Sequence, residues 1–227
     1  MARDRSFFDS MRHLITFLCL CLVMTTRVPA RAQDPNKTPP APPKPAAIPV
    51  EKGAAAEPFD GAAVAKMSGQ CVTLDTEAGA IVIEMLPAVA PESARNFLNL
   101  AATGALDTTT FSRVVKDFII QGGNLSTGEK WDVEMSKRMA RKLPDEPSDV
   151  KHVRGIVSMA RGEEPNTAST HFFILVGDGP HLDGKFAAFG RVVKGIEVPD
   201  AINHAPVEGD KPVTAVKIKR AAVAACQ

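Results

Sequence analysis

The sequence predicts a mainly β domain, a closed eight-stranded antiparallel barrel capped by two helices. Three observations carry this expectation. About eight short apolar runs rich in Val, Ile and Phe fall within roughly 155 residues. Gly, Pro, Asp and Asn punctuate the chain between neighbouring runs. Helical patterns occur only twice and do not alternate with the strands, which argues against a parallel α/β sheet and for closure of one antiparallel sheet.

The elements follow in order. QCVTLDT and GAIVIEML are β-rich runs joined through Glu77, Ala78 and Gly79, a hairpin pattern. PESARNFLNLAATG reads as a helix, with Pro91 in its first turn, Ala94, Phe97, Leu98 and Ala101 on one face, and Gly104 as its stop. TFSRVV and DFIIQ are short strands. Residues 122–153 are polar and irregular, a length of connection that usually carries function or mobility. GIVSMA, HFFILV and KFAAFGRVV resume the strand pattern, with GDGPHLDG as a tight turn. IEVPDAINHA reads as a second, shorter helix interrupted near Pro199, and PVTAVKIKRAAV alternates apolar and charged residues as the last strand.

Ahead of this domain, expected over 67–227, lie two segments of other character. Residues 1–32 resemble a secretory signal: Arg3, Arg5 and Arg12 precede an apolar run from Leu14 to Met24, and Ala30 and Ala32 offer a small-residue cleavage site. The run is too short to span a bilayer, so no stable membrane insertion is expected after cleavage; an uncleaved anchor is the other reading. Residues 33–66 read as a Pro/Ala-rich disordered linker, since Asp34 to Pro58 holds eight prolines and little bulk hydrophobicity. The chain is therefore expected to be exported, to a periplasm or outside the cell. Only Cys71 and Cys226 remain after the signal. An oxidising compartment permits a disulfide between them if the first and last strands are neighbours; two free thiols is the other reading.

Composition excludes some classes. With 227 residues, 44% hydrophobic, 23% charged and net charge +1, nothing points to nucleic acid or an anionic membrane surface. GPHLDGK has phosphate-loop spacing, but Phe186 stands where Ser or Thr would hold magnesium and a strand follows instead of a helix. His152, His171, His181 and His204 lack the close spacing of a zinc site, and Ser158 lacks a nucleophile-elbow context. No metal or cofactor is expected.

One stretch asks for an explanation. FSRVVKDFIIQGG sets Arg113 inside an apolar run, and arginine is seldom buried without a partner. Either its guanidinium faces solvent from an edge strand, or it stands in a cleft as a fixed cation. FSRVVKDFIIQGG, GIVSMARGEEPNTASTHFFI and HLDGKFAAFGRVVKG, in that order and spacing, resemble the cyclophilin family of peptidyl-prolyl isomerases. TEAGAIVIEMLPAVAPESARNFLNLAATG resembles that family's opening hairpin and first helix, and the likeness runs from Cys71 to Val223.

The resemblance implies a cyclophilin-like barrel and catalysis of X–Pro isomerisation in exported, unfolded or loosely folded proteins, by an exported, bacterial-type member that needs no cofactor and acts as a monomer. Arg113 would be the catalytic residue, donating toward the prolyl nitrogen. Phe118, Ile119, Phe173 and Leu182 would form the proline pocket, with Phe186 at its rim and His181 beside it. Gln121 would hold the peptide backbone and the arginine, while main chain at Ala160 and Arg161 would pair with the extended substrate. From residue pattern alone, the Phe, Ile and Leu positions read as plain core. Several residues depart from the family pattern: Ser112 where many members have His, Ile119 for Met, Arg161 where many eukaryotic members have Asn, and His171 for Gln. His181 replaces the Trp that contacts cyclosporin in sensitive members, so weak cyclosporin binding is expected. The alternative function is a module that holds proline-containing peptides without turnover.

Overall fold

The computed structural model describes residues 56–227. The segment 1–32 expected to be a signal and most of the expected linker 33–66 lie outside the described residues. Ten strands and four α-helices occur in this order: α1 (Val64–Met67), β1 (Gln70–Thr76), β2 (Gly79–Met85), α2 (Pro91–Ala102), β3 (Arg113–Val115), β4 (Ile119–Gly122), α3 (Val133–Ala140), β5 (Ile156–Met159), β6 (Phe172–Leu175), β7 (Ala188–Lys194), α4 (Glu197–His204), β8 (Val207–Glu208), β9 (Lys211–Pro212) and β10 (Ile218–Ala225). Eight strands form one antiparallel sheet in the order β10-β1-β2-β7-β5-β6-β4-β3, and β8 pairs with β9 as a separate hairpin.

The expected closed barrel is corrected to an open half-barrel. Between the terminal strands β3 and β10 runs only an isolated bridge, Thr110 with Lys217. It is flanked by Phe111 N–H to Val216 O at 3.0 Å and Ile218 N–H to Thr109 O at 2.7 Å. The reason is local. The β8–β9 hairpin occupies the free side of β3, where Val114 N–H donates to Asp210 O at 2.8 Å, so β3 has no free edge for β10 to join.

The helix count is corrected as well, from two to four among the described residues. The 122–153 connection, read as irregular, contains α3 and a 3₁₀ turn at Leu125–Thr127. Asp132 caps α3 by accepting from Met135 N–H, with Glu134 in the first turn and Lys137 and Arg138 in the last, in accord with the helix dipole. In α4, Pro199 sits in the first turn, where a missing N–H breaks no helical bond, and the helix runs on without interruption. Packing also begins before Met67. Phe59 N–H donates to Asn99 Oδ1 at 2.7 Å, Met67 is fully buried, and Glu57 pairs with Arg138 and Arg141 of the α3 region, both at 2.6 Å. Glu57 and Phe59 are thus tied to α2 and the α3 region.

The main core lies between the concave face of the sheet and α2. The α2 face expected to be apolar is buried, with Ala94, Phe97, Leu98 and Ala101 all inside. Phe97 packs edge-on against Phe172 at 5.0 Å and against Phe189 at 5.0 Å, and Phe111 meets Phe172 at 6.2 Å. Ala90 cannot cap α2. That work falls to Glu146, a residue of the long connection, whose carboxylate accepts from Glu92 N–H, Ser93 N–H and Ser93 Oγ at 2.7–2.8 Å. Burial pushes the Glu146 carboxyl above its usual range despite these bonds. Cys71 and Cys226 are joined as a disulfide across the β1–β10 edge, with Cα atoms 5.0 Å apart. Pairing closes a loop of 155 residues.

Candidate active site

Strand alternation gives the sheet two faces. Val114, Ile120, Phe172, Ile174, Val157 and Phe189 point into the main core. Their sequence neighbours point the other way and build a second, smaller apolar cluster of Ile119, Ile156, Phe173, Leu175, Leu182 and Ala188. Phe118, Ala160 and Phe186 pack onto it, partly exposed.

Cross-strand register then lines up the predicted residues. Arg113 pairs with Gln121, Gln121 with Phe173, Phe173 with Ser158, and Ser158 with Ala188. Directly opposed residues share a face, so one continuous row runs from a cation through an amide to an aromatic ring. Gly123, just after this row, has φ +83°, and a Cβ there would meet Thr170 O at 2.2 Å. The second glycine of QGG is thus required where β4 leaves the sheet.

Arg113 lies half in solvent, its side chain 46% exposed. Its Nη1 reaches Gln121 Oε1 at 3.4 Å, while Nε and Nη2 donate to Asp210 Oδ2 at 3.0 and 2.8 Å. The two readings of the arginine merge here: it stands on a terminal strand of the sheet, and its guanidinium lies against the polar end of the row. Asp210 escaped sequence reasoning, because a pairing across 97 residues leaves no local signal.

The aromatic residues meet in pairs. Phe118 lies 5.3 Å from the His181 ring, Phe173 meets Phe186 edge-on at 6.0 Å, and the Arg161 guanidinium sits 5.0 Å from the centre of Phe186. Phe118 is presented by the turn between β3 and β4, which Asn203 of α4 fixes from behind. Its amide donates to Val115 O and Ile119 O at 2.8 and 3.0 Å and accepts from Asp117 N–H at 2.8 Å. Leu182 and His181 come from the 3₁₀ turn Pro180–Leu182.

The peptide-pairing expectation at Ala160 needs adjusting. β5 is interior to the sheet, and Ala160, just past its end, already donates its N–H to His171 O at 2.9 Å. That N–H is not free for a substrate.

Beside Phe173 lies a chain of polar groups that the sequence left scattered. Ser158 Oγ is 3.0 Å from His152 Nε2, and His152 Nδ1 is 3.2 Å from Asp183 Oδ1. A carboxylate at Nδ1 places the proton of the neutral ring there, leaving Nε2 to accept from the serine. Burial lowers the His152 pKa, and the His152 N–H holds the Asp183 carboxyl below its usual range. The arrangement has the order of a hydrolytic triad, yet Ser158 is 0% exposed and cannot meet a substrate. It acts as a strut between β5 and the turn that carries Leu182. The His171 pKa is lowered too, by burial and then by Lys142.

Comparison with known proteins identifies relatives of the chain. The family described as cyclophilin type peptidyl-prolyl cis-trans isomerase/CLD matches residues 71–223. A peptidyl-prolyl cis-trans isomerase of Dictyostelium discoideum is 38% identical over 157 residues, which cover 68% of this chain and 98% of that protein. One of Arabidopsis thaliana is 37% identical over 137 residues, 60% of this chain, and there the match spans only 61% of the relative's length. A crystal structure of a Cryptosporidium parvum cyclophilin-type isomerase in the presence of the dipeptide Ala-Pro superposes with a TM-score of 0.60 at 31% identity, covering 68% of this chain and 98% of that one.

Proposed function

The chain belongs to the cyclophilin-type peptidyl-prolyl cis-trans isomerase family, and on that premise we propose that it accelerates X–Pro isomerisation at the row running from Arg113 through Gln121 to Phe173. The observation that carries the proposal is that row: a cation and an amide in register with an aromatic wall, on the face opposite the core.

The chemistry asks little beyond this. An X–Pro bond prefers trans by only about 0.5–1 kcal/mol, but resonance puts a barrier of about 18–20 kcal/mol between the isomers. At the barrier the amide is twisted and its nitrogen regains a lone pair. The catalyst must bind that twisted state more tightly than either planar one. Phe173, Leu182 and Ile119 supply the apolar seat for the ring, with Phe118 and Phe186 over it. Arg113 donates toward the exposed nitrogen, and Gln121 holds both the guanidinium and the peptide. A guanidinium does this without giving up a proton. No bond is cleaved and no nucleophile is needed, in keeping with the sealed Ser158.

A protease-coupled assay on an Ala-Pro tetrapeptide tests the proposal. Arg113→Ala is expected to lower kcat/KM by about 10²–10³-fold, the usual cost of removing a donor aimed at developing charge. A wild type no faster than Arg113→Ala would point instead to a module that holds proline peptides without turning them over.

The proposed setting is export, with unfolded or loosely folded exported proteins as clients. It is supported by the signal-like segment 1–32 and by the Cys71–Cys226 disulfide, which suits an oxidising compartment. The bacterial character of this type rests on the chain's own residues, Arg161 among them, since the relatives named above are eukaryotic. Mass determination of the mature N-terminus after cell fractionation checks it: cleavage after Ala32 is expected, and an intact cytosolic chain would overturn the setting.

A further inference from the structure

Asp210 sits at the tip of the β8–β9 hairpin and is held there twice. Its carbonyl accepts from Val114 N–H at 2.8 Å, and its carboxylate receives both Nε and Nη2 of Arg113 through one oxygen, Oδ2. Gly209, with φ +60°, turns the hairpin so that the next residue faces β3. The hairpin thus lies along the terminal strand of the sheet and brings one carboxylate to the one cation of the row.

Both partners are open to solvent, 46% and 52% exposed at their side chains. An exposed ion pair of this kind adds little to folding stability. Its geometry does something else. A guanidinium offers five N–H groups in a rigid plane. Two go to Asp210 and one to Gln121, leaving two for a substrate. The carboxylate holds the Nε–Nη2 side, so the free donors, one on Nη1 and one on Nη2, belong to the tip of the guanidinium, beside Gln121. Without it, a long side chain half in water would spread over several rotamers. Nearby negative charge also weakens the cation's field, which opposes catalysis. Direction outweighs this, because the twisted nitrogen offers a single lone pair and a donor aimed elsewhere stabilises nothing.

We propose that Asp210 is a positioning residue for the isomerisation, fixing the guanidinium plane of Arg113 so that its free edge points along the row toward Phe173. The proposal rests on the isomerase reading of that row.

The test is a double-mutant cycle in the same peptide assay. Asp210→Ala is expected to lower kcat about tenfold with KM changed less than twofold, and Asp210→Glu to recover part of the loss. In an Arg113→Ala background, Asp210→Ala should have no further effect, since the carboxylate then has nothing to orient. Lys211→Ala, one residue along the hairpin and outside the row, should leave kcat unchanged, and thermal melting confirms that every variant folds. An Asp210→Ala enzyme within twofold of wild type, a faster one, or a loss that persists without Arg113 would overturn the proposal. The two readings fail differently. If wild type were no faster than Arg113→Ala, the isomerase reading would fall and this inference with it; a slow Arg113→Ala beside an unaffected Asp210→Ala would overturn the inference alone.

Discussion

The two terminal strands of the eight-stranded sheet, β10 and β3, manage their edges in opposite ways. β10 is eight residues long, stays in register with β1 from Gln70 to Asp75, and is fastened by Cys71–Cys226. Its outward Lys219 pairs with Asp75 of β1. β3 has three residues, pairs only with β4 among the sheet strands, and has its free side covered by a two-stranded hairpin. A long, covalently pinned edge holds the domain together. A short edge leaves a cation half in solvent at the end of the row. Cohesion and the proposed chemistry thus stand at opposite ends of one sheet, and an alteration at one end should be felt little at the other.

The largest expected effect breaks the first end. Converting both Cys71 and Cys226 to Ser releases a closed loop of 155 residues, which chain-entropy arguments put at about 5 kcal/mol and experience with native bridges at about 2–5. Denaturant titration should show that loss, while kcat/KM of the molecules still folded stays at the wild-type value. The Arg113→Ala variant should show the converse, a collapse of kcat/KM with an unmoved melting point. A joint loss in either case would mean that the two ends are coupled.

A smaller effect concerns pH. His152 stands against Ser158 of the row, and burial lowers its pKa. The unfolded chain therefore takes up a proton near pH 6.5 that the native ring refuses, so stability should fall as pH drops below about 6.5. Glu146 acts in reverse. Burial raises its pKa, the native state keeps a proton that the unfolded chain has lost above about pH 4.5, and stability should fall as pH rises through that region. The two oppose each other in between. Glu146→Gln removes one side and should steepen the acid-side loss in melts taken from pH 7 to pH 5; a shallower slope would contradict the assignment.

The smallest concerns the pocket rim. His181, paired with Phe118 at 5.3 Å, offers less apolar surface than a Trp at that place. Calorimetric titration should find weak cyclosporin binding beside intact isomerase activity, and nanomolar affinity would count against it.

Much of this was legible in the chain. Alternation in DFIIQ and HFFILV, with the flanking glycines, was enough to mark β4 and β6, and Pro91 with the Ala94–Phe97–Leu98–Ala101 face marked α2. The site residues followed from the resemblance, and the register of β3, β4 and β6 brings Arg113, Gln121 and Phe173 side by side. What escaped was either short or distant. α3 carried its own signals, Asp132 as a cap and basic residues in its last turn, but the surrounding Gly and Pro masked them. Glu146 on α2, Asn203 behind the Phe118 turn and Asp210 on Arg113 are contacts between segments 53 to 97 residues apart. No local pattern announces such pairings. Closure failed as a prediction because a strand count does not reveal that a hairpin will take the place of β10 beside β3.

The bridge between Cys71 and Cys226 also decides how the molecule would bear mechanical load. Tension applied through the arm before Glu57 and through the C-terminus would first peel residues 57–70 away from α2 and α3. It would then pass from sulfur to sulfur, bypassing everything between them. The row from Arg113 to Phe173 lies wholly inside that shielded loop, so a molecule tugged by its ends would keep the geometry of that row.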